Sequence, residues 1–308
     1  MKSPWVLSFL LANLINLVSA FSVPLQINYL ATWGGDDDVM LQLHHPEGIA
    51  ISPSGRLYIA DTGSHRILLL TLKGKLVRSI GGQGWGQDQF DRPVAVDASN
   101  GLDVFVADYN NRRLIRYDKD LNYLATIEKQ DDWSESYDLG YPLDVALSPL
   151  NHLYCIDDEN SRVLMMDLIG APLFILGDYD AGAGQLVDPV EICVRPDRSI
   201  WILDSYTSVV IFDEYGNYNH HWKPIDTDRF CGMIPCGNWG LCLIDLTKNR
   251  LLIVNEAGKS IGIFNANLHP LVNFNKPVHA AYYDSMIFIL DREQGQVHVF
   301  RVVQNRQD

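Results

Sequence analysis

Residues 46–70 read PEGIAISPSGRLYIADTGSHRILLL. Two short β-rich runs, GIAI and RLYIAD, are joined by a Pro-Ser-Gly turn, and a brief polar loop leads into a third run, RILLL. Apolar runs of this length separated by turn residues read as antiparallel strands, and the Pro-Ser-Gly junction reads as a hairpin. The residues that follow, TLKGKLVRSIGG, add a fourth run beyond a Lys-Gly turn. The stretch is one unit of four strands.

The unit recurs along the chain. LYIADTGSHRILLL, VFVADYNNRRLIRY, LYCIDDENSRVLMM, IWILDSYTSVVIFD, LCLIDLTKNRLLIV and IFILDREQGQVHVF align without gaps on Asp61, Asp108, Asp157, Asp204, Asp245 and Asp291. Successive aspartates lie 47, 49, 47, 41 and 46 residues apart. Five residues after the aspartate stands Arg66, Arg113, Arg162 or Arg250, with Val209 and Gln296 in the other two copies. Fifteen residues before it stands Pro46, Pro93, Pro142 or Pro189; Pro277 lies fourteen before, and the fifth copy has Phe230. A four-stranded repeat of this period, with no helical periodicity over 21–308, predicts an all-β, six-bladed propeller. The length of 308 residues would also accommodate two domains, and the repeat decides for one.

The last unit stops after its third run, QVHVFRVV. Ahead of the first proline, INYLATWGG resembles the fourth-run segments KLVRSIGG and APLFILGD. Residues 26–33 are therefore expected to supply the outer strand of the last blade, which closes the ring with the two chain ends and hides sheet edges.

Proline, apolar strand, Gly turn, a strand ending in Ala-Asp, then a short loop and an Arg before further apolar residues resembles the NHL repeat. HHPEGIAISPSGRLYIADTGSHRILLL and FDRPVAVDASNGLDVFVADYNNRRLIRY match it best, and the resemblance covers nearly all of 21–308. It implies six four-stranded blades, but it does not choose a function, because such propellers serve enzymes, sensors and scaffolds alike. NHL-type amidating lyases hold zinc with histidines immediately after the blade proline. Here those positions are Glu47, Val94, Leu143, Val190 and Val278, so the resemblance does not carry that metal set over.

Charge and the N-terminus bound the partners. The 24 Lys and Arg against 38 Asp and Glu give −14, which disfavours nucleic acid and anionic lipid, both of which are bound through basic side chains. MKSPWVLSFLLANLINLVSA (1–20) has one positive charge, an apolar run and small residues at its end. This is the layout of a secretory signal cleaved after Ala20, with an uncleaved anchor as the alternative. The predicted protein is exported, periplasmic or secreted, with no stable membrane insertion after cleavage and a charge of −15. The lack of any Asn-x-Ser/Thr acceptor favours the periplasm. Cys155, Cys193, Cys231, Cys236 and Cys242 lack the tight spacing of a zinc site, leaving buried thiols, or one disulfide among the last three.

Three sets of residues could carry chemistry. The repeated Asp/Arg pairs read as a structural tie, since a tie recurs in every blade and an active site does not. The residues just after each blade proline open the innermost strands at the channel mouth, where Glu47, Asp144, Glu191 and His279 from four blades are expected to converge. Carboxylates with an imidazole suit calcium or zinc, and they equally suit a wet channel with no metal. The acidic run Asp36–Asp38 lacks the spacing of a calcium loop and reads as a solvated linker. Loop aromatics Trp85, Trp133, Tyr137, Tyr179 and Tyr206 are candidate anchors for a partner. Two functions follow: a module that binds a protein or extracellular polymer and needs no cofactor, or a metal-dependent hydrolase or lyase at the channel mouth.

Overall fold

The computed structural model describes residues 25–35, 41–130, 133, 137–223, 229–236, 240–248, 250–255, 258–265 and 274–304. Residues 1–20, read above as a secretory signal, and the run Asp36–Asp38 lie outside the described residues. Six four-stranded antiparallel sheets follow one another along the chain. The first blade holds β2 (Gly48–Ile51), β3 (Arg56–Asp61), β4 (Arg66–Thr71) and β5 (Leu76–Gly81); the next begins with β6 (Pro93–Asp97) and β7 (Asp103–Asp108). The innermost strands of the remaining blades are β10 (Pro142–Leu147), β14 (Pro189–Val194), β18 (Phe230–Pro235) and β22 (Pro277–Tyr283).

The last blade takes its outer strand from the other end of the chain. β1 (Leu25–Gly34) pairs antiparallel with β24 (Gln296–Gln304), from Leu25 opposite Gln304 to Gly34 opposite Gln296, with a bulge between Tyr29 and Ala31. The expected closing strand, residues 26–33, is thus found with one more residue at each end. At this seam Thr32 Oγ1 and His298 Nδ1 share a hydrogen bond of 2.9 Å. Burial pulls His298 below the usual histidine value, partly opposed by Asp291.

No blade has a core of its own. Along β3, Leu57 and Ile59 pack with Phe288 and Leu290 of the last blade, while the intervening Tyr58 and Ala60 pack with Val104 and Val106 of the next. The period of two that sends alternate side chains to opposite faces therefore splits each central strand between two neighbours. Six such layers complete the circle. Both faces being buried, the second and third strands read as unbroken apolar runs, whereas the outer β5 alternates between half-buried and exposed. The turn before the fourth strand needs a left-handed residue, supplied by Gly74 at φ +76° and, in the second blade, by Leu121 at φ +62°.

In the first, second, fourth and last blades the repeated aspartate accepts a backbone amide of the linker that enters the blade. Asp108 Oδ1 accepts Asp91 N–H at 2.7 Å, and Asp61 Oδ1 accepts His44 N–H at 2.6 Å, each from seventeen residues upstream. The arginine adds a second grip. Arg113 Nε donates to Asp108 Oδ2 at 2.8 Å, and its two Nη atoms donate to the carbonyls of Trp85, Gly86 and Gln89 at 2.8–3.0 Å. Where arginine is missing, the backbone suffices: Asp204 Oδ1 accepts from Val187 and Asp188, and Asp291 Oδ2 accepts Asn275 N–H. The structural expectation for these pairs holds.

Three outcomes test this architecture. A chain lacking residues 1–35 is expected to lose its single cooperative urea transition; an unchanged midpoint would refute closure by β1. Arg113→Ala leaves Asp108 buried beside three orphaned carbonyls and should cost about 3–5 kcal/mol. Arg66, 30% exposed against 3% for Arg113, should cost about 1 kcal/mol or less in the same urea titration. His298 binds its proton more weakly when folded, so its contribution is present above pH 6.5 and is lost as pH falls toward its lowered value. His298→Phe should flatten that acid limb in thermal melts.

Candidate functional site

The channel mouth is shaped by a bulge. In the second, third, fourth and last blades the pairing slips just after the blade proline, between Pro93/Ala95, Pro142/Asp144, Pro189/Glu191 and Pro277/His279. A bulge places two residues of one strand opposite one of its partner and re-aims their side chains. Both residues after these prolines consequently line one cavity of about 310 Å³ at the mouth.

Of the four predicted convergent residues, Asp144, Glu191 and His279 meet in a belt across the channel. His279 Nε2 lies 3.3 Å from Glu191 Oε1. Each of the three also caps an amide of the following blade. Asp144 Oδ2 accepts Ile192 N–H at 2.8 Å, Glu191 Oε1 accepts Met233 N–H at 2.7 Å, and His279 Nδ1 accepts Ile49 N–H at 3.4 Å. Because Nδ1 accepts, the ring proton of neutral His279 sits on Nε2, the nitrogen nearest Glu191. Asp144 Oδ1 takes Val145 N–H at 2.8 Å. Innermost strands of neighbouring blades splay apart, so their facing amides find no ladder partner, and these side chains supply one.

Burial pushes Asp144 up to about 7, opposed by His279 and reinforced by the charge of Glu191. Burial likewise raises Glu191 to about 7 against the pull of the Met233 and Gly232 amides. His279 is pulled below its usual value by burial, partly offset by Asp144. Two acids poised near neutrality beside an imidazole can exchange protons with a ligand. As a metal donor set they fit poorly, since both Asp144 oxygens, one Glu191 oxygen and His279 Nδ1 already accept backbone amides. No group of three or more His, Cys, Asp or Glu able to hold a metal occurs among the described residues.

Glu47 lines the same cavity but stands apart from the belt, 3.1 Å from Arg292 Nη2 and 3.7 Å from Arg92 Nη2. The mouth also carries Arg229 and Lys276, and the sequence reading missed all four cations. A positional signal was present: Arg92, Arg229 and Lys276 each sit one residue before the blade proline or its Phe230 equivalent, and Arg292 follows Asp291.

The aromatic candidates do not form one surface. Tyr206 lines the mouth with the Arg229 guanidinium 4.3 Å over its ring. Trp85 is exposed and lines a polar cleft with Arg112, Asp138 and Glu159. Trp133 and Tyr137 pack on the core layer between the second and third blades, and Tyr179 stands exposed on a linker. The five cysteines are buried free thiols, so the disulfide alternative is not found; Cys231 Sγ donates to the Pro277 carbonyl at 3.2 Å.

Fold and channel define a six-bladed β-propeller of four-stranded blades. Residues 43–68 match the NHL repeat family model. A probable peptidyl-alpha-hydroxyglycine alpha-amidating lyase of Caenorhabditis elegans is 30% identical over 124 residues, 38% of this chain and 35% of that protein. NHL repeat-containing protein 2 of Gallus gallus is 33% identical over 90 residues, 27% of this chain and 12% of that protein. The matches thus span about a third and about an eighth of these relatives' lengths. Among solved structures, a streptogramin B lyase superposes with TM-score 0.61 over 92% of this chain and 88% of its own, at 13% identity. Virginiamycin B lyase from Staphylococcus aureus gives 0.60 over 91% of this chain and 100% of its own, also at 13%. These likenesses show the propeller fold.

The raised carboxyls have a measurable consequence. Asp144 and Glu191 bind protons more tightly folded than unfolded, so their contribution is full below about pH 4 and is lost as pH rises to about 7. His279 works in the opposite sense below 6.5. Asp144→Asn should flatten the alkaline decline in stability, by up to about 1.4 kcal/mol per pH unit over the pH 4–7 window. An unchanged pH profile would show that Asp144 titrates normally.

Proposed function

We propose that the chain is an exported binding module. It holds a protein or extracellular polymer on the propeller face formed by the linkers and the loops following the repeated aspartates. One observation carries this reading: Asp144, Glu191 and His279, the natural catalytic candidates, each bind an amide of the next blade. The groups best placed for chemistry are held by the fold, while the rim around them stays open for recognition. Export rests on the tripartite layout of residues 1–20, and no helix among the described residues is long and apolar enough to cross a membrane. N-terminal sequencing of the secreted chain should begin at Phe21.

A second reading, a hydrolase or lyase acting at the mouth with or without calcium or zinc, is favoured by the two carboxyls near 7 and by the amidating lyase among the relatives. The two readings separate in one preparation. Affinity capture from the native envelope or medium should return a stoichiometric partner, retained by Glu191→Gln and weakened by Trp85→Ala. Stoichiometric calcium or zinc, lost together with a lyase or esterase activity in Asp144→Ala or Glu191→Ala, would overturn the binding-module reading.

A further inference from the structure

The channel mouth is a cationic pocket in an acidic protein. Arg92, Arg229, Lys276 and Arg292 line it, whereas the whole chain carries −14. Glu47 lies between Arg92 and Arg292, and Glu293 is 3.8 Å from Lys276 Nζ, these two side chains being 37% and 50% exposed. The other carboxyls facing the cavity, Asp144 and Glu191, are raised by burial and bind backbone amides.

One donor is left over. Arg292 Nε is buried and meets no hydrogen-bond acceptor among the described residues. A buried guanidinium N–H without a protein acceptor is costly, and a water or an anion in the mouth would relieve it. Arg229, stacked on Tyr206, is held at the rim. Below the cations the wall is aliphatic, formed by Val94, Leu143, Val190 and Val278. Guanidinium forks match the paired oxygens of carboxylates and phosphates, and apolar walls strengthen the field of the charges above them.

We infer that this mouth binds a small organic anion, its carboxylate or phosphate head set among Arg92, Arg229, Lys276 and Arg292 and its short apolar tail on the aliphatic wall. The cavity, about 310 Å³, holds a molecule of that size and no folded partner. The site is separate from capture of a macromolecule on the rim, and either can exist without the other.

Calorimetric titration of the full chain with hexanoate, hexyl phosphate and the neutral hexanamide tests it. At least one anion should saturate below about 10 mM and bind about tenfold or more tighter than hexanamide. Its affinity should fall as salt rises. Tighter binding of hexyl phosphate identifies a phosphate ligand, and equal or tighter hexanoate a carboxylate. Arg229→Gln and Arg292→Gln should each weaken the anion about tenfold while leaving hexanamide unchanged. If a variant fails to fold, the anion-to-amide ratio on the unaltered chain still decides. Equal affinities for anion and amide, or no saturation by either anion, would overturn the proposal whether or not a partner is captured.

Discussion

Each blade buries both faces of its central strands against its neighbours, and that constraint governs the rest of the molecule. A sheet whose two faces are both apolar cannot stand alone in water; it must be covered on each side. In an open row the two terminal blades would each leave a face bare, so the ring must close. The chain closes it by lending β1 to the last blade, and Trp33 of that strand packs against Phe288 with ring centroids 5.7 Å apart. Apolar contacts between residues more than 250 positions apart thereby become part of every blade's stability, which ties folding of one blade to folding of all.

Closure creates a second problem at the axis. Where the six innermost strands face one another, their amides point to neighbours too far away for a ladder. The belt of Asp144, Glu191 and His279 answers part of it, each side chain reaching the amide one position further along the next blade's strand. Three of six junctions carry this device; the equivalent positions in the other blades are Gly48, Ala95 and Gly232. At Gly48 the reason is space, since a Cβ there would come within 2.7 Å of the Val94 carbonyl oxygen. The raised carboxyls follow from the same geometry. Acids placed deep in the channel to reach amides lose water, and desolvation favours their protonated forms. Their unusual values are therefore compatible with a structural duty as well as with catalysis.

Blade number, closure and the role of the Asp/Arg ties were legible because they repeat, and a repeat multiplies a weak signal sixfold. The belt was partly legible for the same reason: counting from the blade proline placed Asp144, Glu191 and His279 at one level. Glu47 was misjudged by one residue of register. It sits one position nearer the proline than the three belt residues, on the upper side of the bulge, where Arg92 and Arg292 take it. The cations escaped because they are contributed by linkers and loops, where the repeat is weakest in sequence although the fold gathers its residues around the axis. Trp133 and Tyr137 illustrate the converse. An aromatic in a polar loop reads as an exposed anchor, but the core layer between the second and third blades extends far enough to take both in.

Net charge alone gave an incomplete account of what this protein can attract. A surface with fourteen excess negative charges repels anions at long range, yet beyond about one Debye length, roughly 8–10 Å in physiological salt, that repulsion is screened. Within the mouth the nearby charges dominate, and there four cations stand over aliphatic walls with the deepest carboxyls near the midpoint of their titration at neutral pH. An anion that reaches the rim thus meets a local field opposite in sign to the global one. The inferred site is sized and charged for a single small anionic head, whereas the many charges of a polyanion would lie along the acidic outer surface. The acidic outer surface and the basic mouth are thus parts of one arrangement, and the ring that forces six linkers to meet at the axis is what brings the cations together.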